Sequence, residues 1–192
     1  MKILLVAATQ KEINKKDFLE FDILISGVGM INTTYNLTKI LSKKRYDLVI
    51  NMGIAGSFNP SIKIGDSVEV IEDTFSEIGF EEDNKFMIFD EFELKNTFSI
   101  KPKTILRKAN AITVNTVHGE KKSILKIIER LSPDIETMEG ASCFMVCEQF
   151  QIPCIQIRTI SNKIEVRRKQ DWDIDLAISN LNNTVRDIIN KL

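Results

Sequence analysis

DLVINMGIAGS, residues Asp47 to Ser57, opens with β-branched and apolar residues and closes on two glycines. The run from Asp47 to Met52 reads as a buried strand, and the glycines after it read as a turn at its carboxyl end. The pattern has a counterpart upstream in DILISGVGM, Asp22 to Met30, where a strand over Asp22–Ser26 meets Gly27 and Gly29 before an amphipathic stretch from Met30 to Lys43. Short strands alternating with longer amphipathic segments predict an α/β chain, with helices packed around a largely parallel sheet. In such sheets ligands bind at the carboxyl ends of strands, so two glycine-rich turns could face one crevice or be independent chain reversals.

Further strands are expected at Lys2–Ala8, Ser67–Phe75, Ala111–Val117, Asp134–Met138 and Cys154–Ser161. Helices are expected at Lys121–Leu131, Glu139–Phe150 and Asp173–Lys191. Glu81–Thr97 is acidic and aromatic and fits either a hairpin or an irregular excursion. The 192 residues show no linker composition and no repeat, and one domain over 1–192 is expected.

Lys plus Arg at 26 against Asp plus Glu at 27 leaves no net field of the kind that gathers nucleic acid or binds a membrane surface. The apolar run at the N-terminus is too short for a signal peptide or a spanning helix, which predicts a soluble cytoplasmic protein. Cys143, Cys147 and Cys154 fall in apolar runs, without a C-x-x-C pair and with a single histidine, His118, in the chain. They read as buried thiols; no metal is predicted.

Two segments place charge where burial is expected. In DIETMEGA, Asp134 to Ala141, Glu139 stands at a strand-to-helix junction. It reads either as a first-turn carboxylate favoured by the helix dipole or as a carboxylate held at the crevice mouth. In CIQIRTISN, Cys154 to Asn162, Arg158 lies inside an apolar strand and predicts a carboxylate partner such as Glu139. Ser161-Asn162 reads as a turn or as an amide available to a purine edge.

Taken in order, the N-terminal strand leading to Glu12, Ser26-Gly27-Val28-Gly29-Met30, Asn51-Met52-Gly53-Ile54-Ala55-Gly56, Ile64-Gly65-Asp66, Met138-Glu139-Gly140-Ala141 and Arg158-Thr159-Ile160-Ser161-Asn162 resemble the nucleoside phosphorylase/nucleosidase superfamily across most of the chain. Asn162, where methylthioadenosine-cleaving members have aspartate, resembles the branch that cleaves futalosine, as do Thr113-Val114-Asn115-Thr116-Val117 and Trp172. Val166 in place of a proline and the basic Arg167-Arg168-Lys169 depart from that pattern.

The resemblance implies a three-layer α/β/α sandwich around a mixed, mostly parallel sheet, with no cofactor, a small-molecule purine nucleoside as substrate, and a homo-oligomer of dimer size or larger. It implies Glu12 as the base that activates water, Glu139 as the group that binds the ribose hydroxyls as charge develops, Met138 against the sugar, and Arg158 orienting Glu139. Thr116 and Val117 would line the purine, Val28, Ile54 and Ala55 the crevice, with Ser161 beside Asn162 and Trp172 over the substrate. Arg167 or Arg168 would pair with a substrate carboxylate or form a solvated face. His118 reads as a structural or rim residue.

Asn162 can accept from a protonated N7 while donating to a 6-oxygen, which implies a hypoxanthine nucleoside. Gln10, Lys11 and Glu12, with no glycine and arginine to hold phosphate, imply hydrolysis over phosphorolysis. The competing readings are a 6-aminopurine nucleosidase and a nucleoside-binding protein without activity.

Overall fold

The computed structural model describes residues 1–83, 85–89, 94–166 and 172–192. Its strands are β1 (Ile3–Ala7), β2 (Asp22–Ile25), β3 (Leu48–Ser57), β4 (Ser67–Phe75), β5 (Phe80–Glu82), β6 (Lys85–Met87), β7 (Thr97–Ser99), β8 (Arg107–Thr113), β9 (Ile135–Thr137) and β10 (Cys154–Lys163). Its helices are α1 (Met30–Leu41), α2 (Lys121–Leu131), α3 (Gly140–Gln149) and α4 (Ile174–Ile189).

An α/β layering follows from how the central strands divide their side chains. Leu4, Val6 and Val49 join the core that α1 and α3 cover, while Ile3, Leu5, Leu48 and Ile50 join the core that Leu181, Val185 and Ile188 of α4 cover. Strands buried on both faces read as continuous apolar runs, as β1 does. The sheet is mixed: β1–β2, β1–β3, β3–β10, β4–β8 and β8–β9 are parallel, whereas β4–β10, β3–β9 and β4–β7 are antiparallel. A separate two-stranded hairpin, β5–β6, runs from Phe80 to Met87 and so begins one residue before the Glu81–Thr97 segment. The thiols of Cys143, Cys147 and Cys154 are buried and free, packed between α3 and β10.

Two expectations change. The glycines of Asn51–Ser57 do not form a turn; β3 runs straight through them to Ser57. Small residues are needed there because side chains from β10 and from the segments that follow β1 and β10 lie across the backbone. A Cβ on Gly53 would stand 2.9 Å from Arg158 Nη1 and 3.0 Å from Glu12 Oε1, and one on Gly56 would stand 2.8 Å from Ile164 Cγ1. Gly27 and Gly29, with φ of 82° and 91°, do require the left-handed region. The strand expected at Ala111–Val117 instead spans Arg107–Thr113, because from Val114 the chain leaves the β4 edge and follows β9, its amide donating to Thr137 O at 2.9 Å.

The course of β3 positions the site. One edge of β3 pairs with β10 along its length, and its other edge pairs with β1 from Leu48 to Asn51 and with β9 at Gly56 and Ser57. Between those contacts, from Met52 to Ala55, no strand covers that edge among the described residues. β1 has diverged by this point, and a cleft opens at the carboxyl ends of parallel strands.

Candidate active site

A cavity of about 410 Å³ occupies this cleft. Ala8, Thr9 and Glu12 come from the end of β1, Ile54 to Gly56 from the uncovered edge of β3, Glu136 to Glu139 from β9 and the start of α3, and Ser161 and Asn162 from β10. Val28, Val117, His118, Lys11 and Trp172 complete the walls with Ile174 and Ile178.

Glu12 is nine-tenths buried and fills the gap left by the missing strand. Its Oε1 accepts from the Ile54 amide at 3.3 Å, and its Oε2 accepts from the Thr9 amide at 2.8 Å and the Thr9 hydroxyl at 3.1 Å. A carboxylate oriented by three donors at a cavity wall is placed to take a proton from a bound water.

Glu139 sits at the N-cap of α3 without a side-chain capping bond. Its Oε1 instead accepts from the Gly29 amide at 2.8 Å, so the glycine-rich turn before α1 presents its backbone to this carboxylate. Burial raises the Glu139 pKa, Glu12 raises it further, and the charge of Arg158 and the Gly29 and Met138 amides oppose the shift.

Arg158 has a different partner from the one expected. It is 1% exposed and lies beneath the cavity, without lining it. It makes no ion pair with Glu139 within 4 Å; its Nη2 donates to Asn51 Oδ1 and its Nη1 to Ile157 O at 3.4 Å. The cause is register: Arg158 stands opposite Gly53, so the guanidinium crosses β3 toward Asn51 and acts on Glu139 through its field alone. The Nε atom has no hydrogen-bond partner among the described residues.

Asn162 lines the cavity with Oδ1 accepting from the Ser161 hydroxyl at 2.8 Å and Nδ2 donating to Lys163 O at 3.0 Å. An amide has two lone pairs and two N–H groups, so one acceptor position and one donor remain for a ligand. Val28, Ile54, Ala55, Val117, Met138, Ser161 and Trp172 all line the cavity, whereas Thr116 is exposed and off it because the chain has already turned away from β8. Arg167 and Arg168 lie outside the described residues.

Glu136, a residue sequence reasoning missed, is brought to the same wall as His118. The signal was present: a carboxylate between Ile135 and Thr137 in a buried strand is the same anomaly that drew notice to Arg158.

Beneath the cavity, burial pushes the Asp73 pKa up to about 6, against hydrogen bonds from Gln156 and Thr113 and the charge of Arg158. The folded value lies above the unfolded 3.8, so this group contributes stability at low pH that is lost as pH rises through about 6. Asp73→Asn is expected to remove that increment. Gln156 Oε1, which has no hydrogen-bond partner among the described residues, can accept from the new amide if the Gln156 amide turns over. Thermal melts between pH 4.5 and 7.5 will check this, with a flatter profile for the variant; an unchanged profile would show that Asp73 stays ionised throughout.

Comparison with known proteins agrees with this geometry. The family model for the Phosphorylase superfamily matches residues 23–190. The chain is 28% identical over 167 residues to the aminodeoxyfutalosine nucleosidase of Campylobacter jejuni, covering 80% of this chain and 72% of that one. It is 24% identical over 182 residues to the futalosine hydrolase of Thermus thermophilus, covering 88% and 81%. Among solved structures, the futalosine hydrolase of Helicobacter pylori strain 26695 superposes with a TM-score of 0.85 at 17% identity, covering 100% of this chain and 98% of that one. The 5'-methylthioadenosine/S-adenosylhomocysteine nucleosidase of Colwellia psychrerythraea in complex with adenine gives 0.84 at 18%, covering 100% and 96%. A cleft at the uncovered edge of β3, walled by the carboxylates Glu12, Glu136 and Glu139, thus sits on a fold these enzymes share, and with residues 23–190 matched the chain belongs to the Phosphorylase superfamily.

Proposed function

We propose that this protein hydrolyses the N-glycosidic bond of futalosine, releasing hypoxanthine and dehypoxanthine futalosine, a step of menaquinone biosynthesis. The chain is an N-glycosyl hydrolase of the nucleosidase type, and the observation that carries the reading is the convergence of Glu12, Glu139 and Asn162 on one cavity. Glu12 takes a proton from water as the C–N bond lengthens. Glu139 binds the ribose hydroxyls and answers the positive charge that develops on the sugar, with Met138 packed against it.

Asn162 holds the departing base. Its remaining lone pair accepts from N7–H and its remaining N–H donates to the 6-oxygen, whereas a 6-amino group there would set donor against donor. Water is the nucleophile because the Glu12 carboxylate occupies the place where a phosphate would need cations, and among the described lining residues Lys11 is the one lysine or arginine that could attract one. The whole of residues 1–192 acts as one catalytic domain, and self-association is supported by Ile31 and Tyr35 on α1, 80% and 63% exposed.

A second reading, cleavage of a 6-aminopurine nucleoside, is favoured by the name of the Campylobacter jejuni relative. Base release from futalosine, aminofutalosine, methylthioadenosine and inosine, with and without phosphate, separates the two. Phosphate-independent hypoxanthine release from futalosine is expected. Preferential adenine release would move the substrate to the second reading, and strict phosphate dependence would make the enzyme a phosphorylase. Tight purine binding without turnover would indicate a binding protein. Asn162→Asp is expected to shift selectivity toward 6-aminopurines by about 10-fold or more, since a protonated aspartate can donate to N7 and its other oxygen can accept from the amine.

A further inference from the structure

One carboxylate–imidazole pair on the cavity wall takes no part in the chemistry assigned above. The Glu136 side chain is 3% exposed, and both its oxygens are engaged by one residue: Oε1 accepts from the His118 amide at 3.0 Å and Oε2 lies against His118 Nδ1. His118 Nε2 has no hydrogen bond among the described residues, while the side chain lines the cavity.

Strand register places this pair relative to Asn162. Gly56 of β3 is opposite Glu136 on one side and opposite Asn162 on the other, so the two residues flank it on neighbouring strands. Two strand spacings separate them, about 10 Å, a gap that a bicyclic base can span. The Cβ direction of Gly56 points within 3.2 Å of Asn162 Nδ2, so only a residue without a side chain leaves this floor open.

We propose that His118 reads the N1 edge of the purine, that Glu136 positions it, and that the pair selects a 6-oxopurine. The inference rests on the purine nucleosidase reading. A carboxylate offers only acceptors, and with Oε1 taken by the backbone N–H, Oε2 draws the imidazole proton onto Nδ1. Nε2 then carries a lone pair toward the cavity. N1 of a 6-oxopurine bears a hydrogen and can donate to it; N1 of a 6-aminopurine bears a lone pair and is opposed. Asn162 and His118 thus read adjacent edges of the base in the same sense.

Glu136→Gln reverses the device with almost no change of shape. The single glutamine oxygen must accept the His118 amide, because the other orientation sets two donors face to face. Its NH₂ therefore faces Nδ1, and the imidazole proton moves to Nε2. His118 is the only histidine in the chain, so ¹⁵N-histidine spectra report its tautomer directly without substrate. At about pH 8.5, above the ordinary imidazole range, the protein is expected to show Nδ1–H and the variant Nε2–H. The ratio of kcat/KM for futalosine to that for aminofutalosine is expected to fall by about 100-fold in Glu136→Gln. In His118→Phe, which keeps a ring but no nitrogen, it should fall by about 10-fold or more.

An Nε2–H or doubly protonated ring in the unaltered protein would overturn the proposal, as would a ratio unchanged by His118→Phe or by a switched tautomer. Failure of the unaltered protein to release base from either nucleoside would instead sink the nucleosidase reading beneath it.

Discussion

Glu12→Gln is expected to lower kcat by about 10²- to 10⁴-fold, the usual contribution of a positioned general base, while KM stays within a few-fold. Glutamine keeps the length of the side chain, and its oxygen can still accept from the Thr9 amide, which stands 2.8 Å from Oε2. The Thr9 hydroxyl can rotate, and the one bond put at risk is the 3.3 Å contact with the Ile54 amide. Stability should therefore fall by only about 1 kcal/mol. Single-turnover base release paired with a melting curve will separate the two effects. Retention of more than about a tenth of the activity would assign water activation elsewhere, with Glu139 the next carboxylate on the wall.

Gly140→Ala is expected to be among the most destabilising single changes in the chain. In the first turn of a helix alanine ordinarily outranks glycine by up to about 1 kcal/mol, so the sign itself is informative. Gly140 is buried where α3 meets the sheet, and a Cβ there would run into Asp73 Oδ2 and Gln156 Oε1. Those side chains cannot swing away freely. Both are buried and joined by a hydrogen bond of 3.0 Å, so relieving the overlap strands buried polar atoms or shifts α3 from the sheet. Either route costs about 2–4 kcal/mol, equivalent to a Tm lower by roughly 5–15 °C for a chain of this size. Differential scanning calorimetry decides the matter; a Tm equal to or above that of the unaltered protein would mean that the helix start yields without strain.

The segment Met138-Glu139-Gly140-Ala141 divides by role. The proposed chemistry uses Met138 and Glu139, whereas Gly140 allows the helix that follows them to sit directly on Asp73 and Gln156. Motif reading cannot make that division, because a glycine kept for close approach and one kept for a turn are written alike. The same ambiguity led Gly53 and Gly56 to be read as turn residues, although they lie within a continuous strand.

What the sequence by itself determined was the local part of the architecture. Short apolar runs such as Ile3–Ala7 read as strands buried on both faces, and the period of Lys121–Leu131 marks a helix whose observed bounds match those expected. Glu139 and Asn162 stood out where an apolar pattern gives way to a polar group at a strand or helix terminus, whereas Glu12 was singled out only by the family resemblance. What only the tertiary structure decided was which of these groups meet. The divergence of β1 from β3, the Asn51 partner of Arg158, and the flanking of Gly56 by Glu136 and Asn162 all depend on registers between strands far apart in the chain. A register is set by the packing of both sheet faces at once, and a slip of one residue would turn every side chain to the opposite face, so no local segment contains that information.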